Sequence, residues 1–149
     1  MPARILVIED NESNLQLVDI LLTAHGFSSL LARNGADGVR IAIEERPDMV
    51  LLDIRMPGMD GYEVASLLRQ EATLSRTRIV ALTASAMLGD RERIAAAEFD
   101  GYIQKPIDPG GFIAEIQEHL PEPSWEPPPV RDRESGKDPQ RLNDSSANP

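Results

Sequence analysis

The chain has no cysteine, so it forms no disulfide and offers no thiolate as nucleophile or metal ligand, which fits a reducing compartment. No apolar run approaches the roughly 20 residues needed to cross a bilayer. The opening, Met1-Pro2-Ala3-Arg4, passes through four apolar residues into Glu9-Asp10, too short and too soon acidic for a secretory signal. Basic residues are few, with 15 Lys and Arg against 25 Asp and Glu and a net charge of −10. Gripping nucleic acid or an anionic membrane needs clustered cations, so the charge argues against both and leaves proteins or cations as expected partners. The expected location is the cytoplasm. With 149 residues and 41% hydrophobic content there is material for one ordinary core and little for a second.

What is present is best read from the segment Met49-Val50-Leu51-Leu52-Asp53, followed by Ile54-Arg55-Met56-Pro57-Gly58-Met59-Asp60-Gly61. Four apolar residues between Pro47 and Pro57 are too few for a helix and predict a strand buried on both faces, the mark of a parallel sheet. Asp53 falls where that strand ends. Ligands of open α/β sheets bind beyond the carboxyl ends of the strands, so a carboxylate there is placed for chemistry. A strand-terminal Asp that merely caps the following turn is the alternative.

Ile5-Leu6-Val7-Ile8 is a second apolar run that ends in acid, the pair Glu9-Asp10. Strand alternation predicts that at most one of the two points into a given pocket. Ser13 and Gln16 form a capping-box pattern for a helix to about His25, with Leu15, Val18, Leu21 and Leu22 on its apolar face and Gly26 ending it. His25 is expected to be structural. Phe27 to Ala32 suits an edge strand, and Asn34-Gly35 leads into a helix carrying Val39, Ile41 and Ile43. Past the central strand, a helix is predicted from about Tyr62 to Glu71, packing through Val64, Leu67 and Leu68. Ile79-Val80-Ala81-Leu82 is a fourth strand, ending in Thr83-Ala84-Ser85. Gly89-Asp90 opens a helix from Arg91 to about Phe99, and a fifth strand, Tyr102-Ile103-Gln104, delivers Lys105-Pro106. Asp108-Pro109 is read as the cap and first turn of a last helix with Phe112, Ile113, Ile116 and Leu120. His119, near its end, is expected to face solvent without a role.

Beyond Leu120 the composition changes, with seven of the twelve prolines in residues 121 to 149. The domain is therefore expected to span 1 to 120, followed by a Pro-rich, disordered tail at 121 to 149. Trp125 is the one tail residue able to anchor on something, although an exposed linker with an incidental Trp is the plainer reading.

Five strand-helix units in alternation predict an α/β fold, a doubly wound parallel sheet with helices on both faces and right-handed crossovers. Glu9-Asp10, Asp53, Thr83 and Lys105 then come from four strand ends to one edge of the sheet. From Arg4 to Leu120 these motifs resemble a response-regulator receiver domain, the phosphorylatable module of two-component signalling. The stretches Thr83-Ala84-Ser85-Ala86-Met87-Leu88-Gly89-Asp90 and Asp100-Gly101-Tyr102-Ile103-Gln104-Lys105-Pro106-Ile107-Asp108 most resemble single-domain regulators of the cell-division type and receivers of hybrid kinases. The resemblance implies a flavodoxin-like five-stranded sheet of order 2-1-3-4-5. It implies that Asp53 is the phosphoacceptor and that Glu9, Asp10, Asp53 and the backbone carbonyl of Arg55 hold Mg2+. It further implies that Thr83 and Lys105 contact the phosphoryl group and that Tyr102 is an aromatic switch partner of Thr83. Simple packing of Tyr102 on the sheet is the competing reading.

The implied partners are a sensor histidine kinase or histidine phosphotransfer protein, and a downstream protein bound by the face of the fourth helix, fifth strand and fifth helix. A homodimer through the last helices is open. Arg55 and Ser85, each two residues past a key position, are expected to tune the lifetime of the phosphorylated state. Such a module is not an enzyme in the usual sense, though it catalyses its own phosphorylation and dephosphorylation. A haloacid-dehalogenase-type phosphatase would need a second Asp where Arg55 stands. A pseudo-receiver adaptor that works without phosphorylation is the other alternative, although such domains commonly lack one of the groups present here. A transcription factor is disfavoured because the residues after Leu120 are too few and too proline-rich for a helix-turn-helix.

Overall fold

A computed structural model of the chain describes residues 2–85 and 87–120; the expected tail, Trp125 included, lies outside the described residues. The elements run β1 (Arg4–Ile8), α1 (Glu12–Ala24), β2 (Ser28–Ala32), α2 (Gly35–Glu45), β3 (Met49–Asp53), α3 (Gly61–Arg69), a 3-10 turn (Ala72–Leu74), β4 (Arg78–Thr83), α4 (Leu88–Ala96), β5 (Gly101–Gln104) and α5 (Phe112–His119). The strands form one parallel sheet in the order β2-β1-β3-β4-β5, the doubly wound arrangement expected.

All five residues of β3 are buried, as are the last four of β1 and the last five of β4. A strand covered on both faces has no solvent side and so needs no polar alternation. In the edge strand β2 only Ala32 is buried, with Ser28 exposed and the three residues between them half-buried. One core lies between the sheet and α2, α3 and α4, with Leu6, Ile8, Leu52, Val64 and Ile94; the other lies against α1 and α5, with Val7, Leu15, Leu51, Phe112 and Ile116.

Several helix details depart from the sequence expectations. Helix α2 buries Gly35, Gly38 and Ala42, while Ile43 is exposed and Val39 and Ile41 are half-buried. The reason is the Ile8 side chain, which fills the space where a Cβ on Gly38 would stand. In α3 it is Ala65, not the exposed Leu67, that joins Val64 and Leu68 on the inner face, and the helix stops at Arg69 before the 3-10 turn. Helix α1 is capped by Asn11, whose side chain accepts from the Asn14 backbone at 2.9 Å, instead of by Ser13. Gln16 donates to Glu12 within the helix at 3.0 Å. Helix α4 begins at Leu88, three residues ahead of the expected Arg91, and ends at Ala96. Asp108-Pro109 forms a turn ahead of α5: the Asp108 carbonyl accepts from Gly111 and Phe112, and the helix starts at Phe112. His119 is half-buried and packs against the Cα of Gly101 at the start of β5. His25 caps α1 as expected, with Nδ1 2.9 Å from the Leu21 carbonyl oxygen.

Candidate functional site

The strand ladder continues past the strand ends, and these extra bonds fix the site residues to one another. Glu9 N–H donates to the Ala32 carbonyl at 3.0 Å, Ile54 N–H to Leu82 at 3.2 Å, and Lys105 N–H to Thr83 at 2.7 Å. The loop after β3 then folds back on itself, with Gly61 N–H donating to the Ile54 carbonyl at 2.9 Å. A Cβ on Gly61 would stand 2.6 Å from the Ile54 Cα and 2.8 Å from the Asp53 carbonyl oxygen, so only glycine admits this approach. Asp60 opens α3 with a reciprocal capping box to Glu63, which anchors the far end of the loop. The Lys105-Pro106 peptide is cis.

Glu9, Asp53 and Thr83 are buried polar residues, with 1%, 4% and 8% exposure, while Asp10 is exposed. Carboxylate oxygens of Glu9, Asp10 and Asp53 lie within 4.8 Å of one another. Strand alternation does not separate Glu9 from Asp10, contrary to expectation, because β1 ends at Ile8 and both residues lie beyond it. Lys105 Nζ stands 3.0 Å from Glu9 Oε1 and 3.3 Å from Asp53 Oδ1. The Arg55 backbone N–H donates to Asp53 Oδ1 at 3.2 Å, and the Asn11 N–H to Glu9 Oε2 at 3.2 Å.

Charge in this cleft is out of balance. One ammonium faces three carboxyl groups, and each ionised pair about 5 Å apart repels by roughly 3 kcal/mol at an effective dielectric near 20. Burial, and then the neighbouring Glu9 carboxyl, raise the Asp53 carboxyl from 3.8 to about 7, against the opposing pull of Lys105 and the Arg55 N–H. Burial works against the Lys105 ammonium, yet Glu9 and Asp53 more than offset this and hold it above its ordinary value. Glu9 Oε1 is buried without a properly directed hydrogen bond, even though the ammonium is close. An orphaned buried oxygen beside two further carboxylates is a donor set suited to a hard divalent cation, which takes oxygen ligands and supplies the missing charge.

Around this centre stand the remaining expected residues. Thr83 Oγ1 donates to the Ser85 carbonyl oxygen at 2.8 Å and accepts from the Ser85 N–H at 3.1 Å. Ser85 Oγ donates in turn to Asp90 Oδ2 at 2.6 Å. Arg55 is exposed, and Tyr102 is half-buried against the core that contains α3 and α4. The contact to Asp90 went unread in the sequence, where Gly89-Asp90 stood only for a helix start; a hydroxyl five residues ahead of an acid across such a start was its one signal.

A sequence model of the response-regulator receiver domain matches residues 5–117. The chain belongs to the response-regulator receiver family. It is similar to the polar-differentiation response regulator DivK of Brucella anthropi, with 39% identity over 120 residues covering 80% of this chain and 98% of that protein. Among solved structures it resembles the chemotaxis response regulator CheY4 of Vibrio cholerae, with a TM-score of 0.78 and 26% identity over 80% of this chain and all of the other. It also resembles the receiver domain of a sensor histidine kinase from Pseudomonas aeruginosa PAO1, with a TM-score of 0.73 and 33% identity over 80% of this chain and 98% of that one. That receiver carries a magnesium ion coordinated in its active-site cleft. As a receiver domain the chain is a component of two-component signalling, and receiver domains are generally not classical enzymes. No helix among the described residues is long and apolar enough to cross a membrane.

Proposed function

We propose that this receiver accepts a phosphoryl group on Asp53 from a phosphohistidine of a sensor kinase or histidine phosphotransfer protein, and that the acyl phosphate switches its affinity for a downstream protein. The observation that carries this reading is Asp53 itself: a buried carboxylate at the end of β3, 3.3 Å from Lys105 and within 4.8 Å of two further acids. In the transfer an Asp53 carboxylate oxygen attacks phosphorus. A P–O bond forms while the P–N bond breaks, its electron pair leaving on the imidazole nitrogen, which then takes up a proton from water.

Glu9, Asp10, Asp53 and the Arg55 carbonyl would hold magnesium, the family's ion. When bound, it supplies the positive charge that lets a carboxylate and a phosphoryl group meet. Lys105 contributes a point charge from the other side of the cleft. Thr83 can turn its hydroxyl to a phosphoryl oxygen, and a charge-assisted bond of this kind contributes on the order of 1.5 to 3 kcal/mol, enough to shift a two-state ratio tenfold. Movement of Thr83 frees space towards Tyr102 on the neighbouring strand, which alters the α4–β5–α5 face offered to the target. Arg55 and Ser85 at the rim set how readily water reaches the acyl phosphate.

Intact mass after incubation with magnesium and acetyl phosphate tests the reading. Wild type gains one phosphoryl group and Asp53→Ala gains none. No gain in wild type, even from phosphorylated histidine proteins, would favour the pseudo-receiver adaptor.

A further inference from the structure

The polar residue of this region with no role so far is Asp90, in the first turn of α4. Its carboxylate accepts the Ser85 hydroxyl at 2.6 Å, short for an O–H···O bond and within the range of charge-assisted ones. Ser85 in turn holds Thr83 from both sides: its carbonyl accepts the Thr83 hydroxyl at 2.8 Å and its N–H donates to the same oxygen at 3.1 Å. A threonine hydroxyl has one proton to donate. While that proton is committed to the Ser85 carbonyl, it is not available to a phosphoryl oxygen on Asp53.

We propose that Asp90 is a positioning residue that, through Ser85, latches the Thr83 hydroxyl in its resting orientation and so sets the threshold for switching. This rests on the phosphoacceptor reading of Asp53. Asp90 touches neither Asp53 nor any group expected to meet the phosphate; it acts by fixing the Ser85 backbone, whose N–H and carbonyl both face Thr83. The latch also joins the cleft to α4, because Asp90 belongs to that helix and Thr83 to the end of β4. Release of Thr83 therefore loosens the start of α4 in the same event. Helix α4 is suited to such a link, since its N-cap, Met87, provides no side-chain bond and the helix start is held to Ser85 Oγ by the Asp90 carboxylate at 2.6 Å and, more weakly, by the Met87 N–H at 3.4 Å.

Two measurements separate this role from general support of α4. The first needs no phosphate. The Ser85 amide is protected by the Thr83 oxygen, so its hydrogen exchange in the full chain reports the latch directly, and Asp90→Ala and Ser85→Ala accelerate exchange in this loop about tenfold while the amides of β3 keep their rates. Asp90→Asn, which keeps the shape and loses the charge, gives a smaller acceleration. The second uses magnesium with beryllofluoride as the phosphoryl mimic, with affinity measured by calorimetry. Asp90→Ala and Ser85→Ala each tighten binding roughly three- to tenfold, because the mimic no longer competes with a charge-assisted bond. The double variant is no tighter than either single one, and neither change has an effect on a Thr83→Ala background. Unchanged exchange, or tightening that persists without Thr83, overturns the latch. Absence of beryllofluoride binding in wild type overturns the phosphoacceptor reading, while the exchange result still decides whether the Asp90–Ser85–Thr83 linkage exists.

Discussion

Lys105 lies 3.3 Å from Asp53, yet the Asp53 carboxyl is raised to about 7. Burial of the carboxyl and the adjacent Glu9 outweigh the ammonium. A raised folded value penalises the ionised form, so the contribution of Asp53 to stability is fully present below its unfolded value near 3.9 and is lost as pH rises through about 7. Without divalent cations, wild type should therefore lose on the order of 2 kcal/mol between pH 5 and pH 8, roughly 10 °C in melting temperature for a domain of about 100 residues. Asp53→Asn should flatten this slope. Thermal melts in chelator across that range check it, and a wild-type stability that rises with pH would contradict the electrostatic account.

A divalent cation held by these oxygens would reverse the penalty by taking the place of the proton. Magnesium should raise the melting temperature by several degrees at pH 8 and by clearly less at pH 5.5, where protons compete for the same oxygens. The shift should vanish in Asp10→Asn, although Asp10 is exposed and its substitution should cost little in the absence of the ion. If the shift persists in that variant, the ion sits elsewhere.

How far the fold can be read in advance depends on whether the signal is local. β1, β3 and β4 are short apolar runs because a parallel strand is covered on both faces, and within β3 the only charged residue, Asp53, marks the functional end. Helix α2 defies such reading: Val39, Ile41 and Ile43 look like its apolar face, but the buried positions are Gly35, Gly38 and Ala42, because Ile8 from another element already occupies the space. Asn11 in place of Ser13, and Phe112 in place of Asp108-Pro109, turn on which residue leaves the helical backbone region first. That Glu9-Asp10, Asp53, Thr83 and Lys105 come to one edge of the sheet was legible from strand ends, but that Glu9 and Asp10 both reach Asp53 was not, because they lie beyond the end of β1 where alternation no longer applies. The Asp90 link and the packing of His119 on Gly101 were not, since both require knowing how a helix lies against its strand.

Two glycines make contrasting predictions. At Gly61 an added Cβ meets the backbone of Ile54 and Asp53 at 2.6 and 2.8 Å, atoms that cannot yield without moving the loop that carries Asp53. Gly61→Ala should cost about 2 to 3 kcal/mol and also lower the phosphorylation rate. At Gly101 the obstacle is the His119 ring, a side chain that can swing aside, so Gly101→Ala should cost about 1 kcal/mol or less, with much of that recovered by adding His119→Ala. Urea unfolding of the four proteins, with acetyl phosphate kinetics for Gly61→Ala, distinguishes them. Equal costs at the two sites would refute the argument from what each Cβ meets.

Arg69 closes the lower edge of the sheet, away from the cleft. Its guanidinium donates to the Glu98 carbonyl at 3.1 and 3.0 Å, to the Thr77 carbonyl at 3.1 Å, and to Asp100 Oδ2 at 2.6 Å. Asp100 Oδ2 also accepts the Ile79 N–H at 2.8 Å, at the start of β4, and Glu98 sits in the left-handed region at φ 67°. One planar fork thus secures the turn between α4 and β5 to the end of α3, a geometry that an ammonium cannot reproduce. Arg69→Lys should cost about 1 to 2 kcal/mol and Arg69→Met somewhat more, since both carbonyls lose the guanidinium in a partly shielded place and Asp100 keeps the Ile79 N–H but loses its short ion pair. Because the clamp lies at the opposite end of the strands from Asp53, phosphorylation by acetyl phosphate should be nearly unchanged at temperatures where the variants remain folded. Urea midpoints together with the phosphorylation rate test both halves, and a stable variant with impaired phosphorylation would show that this end of the sheet is coupled to the cleft.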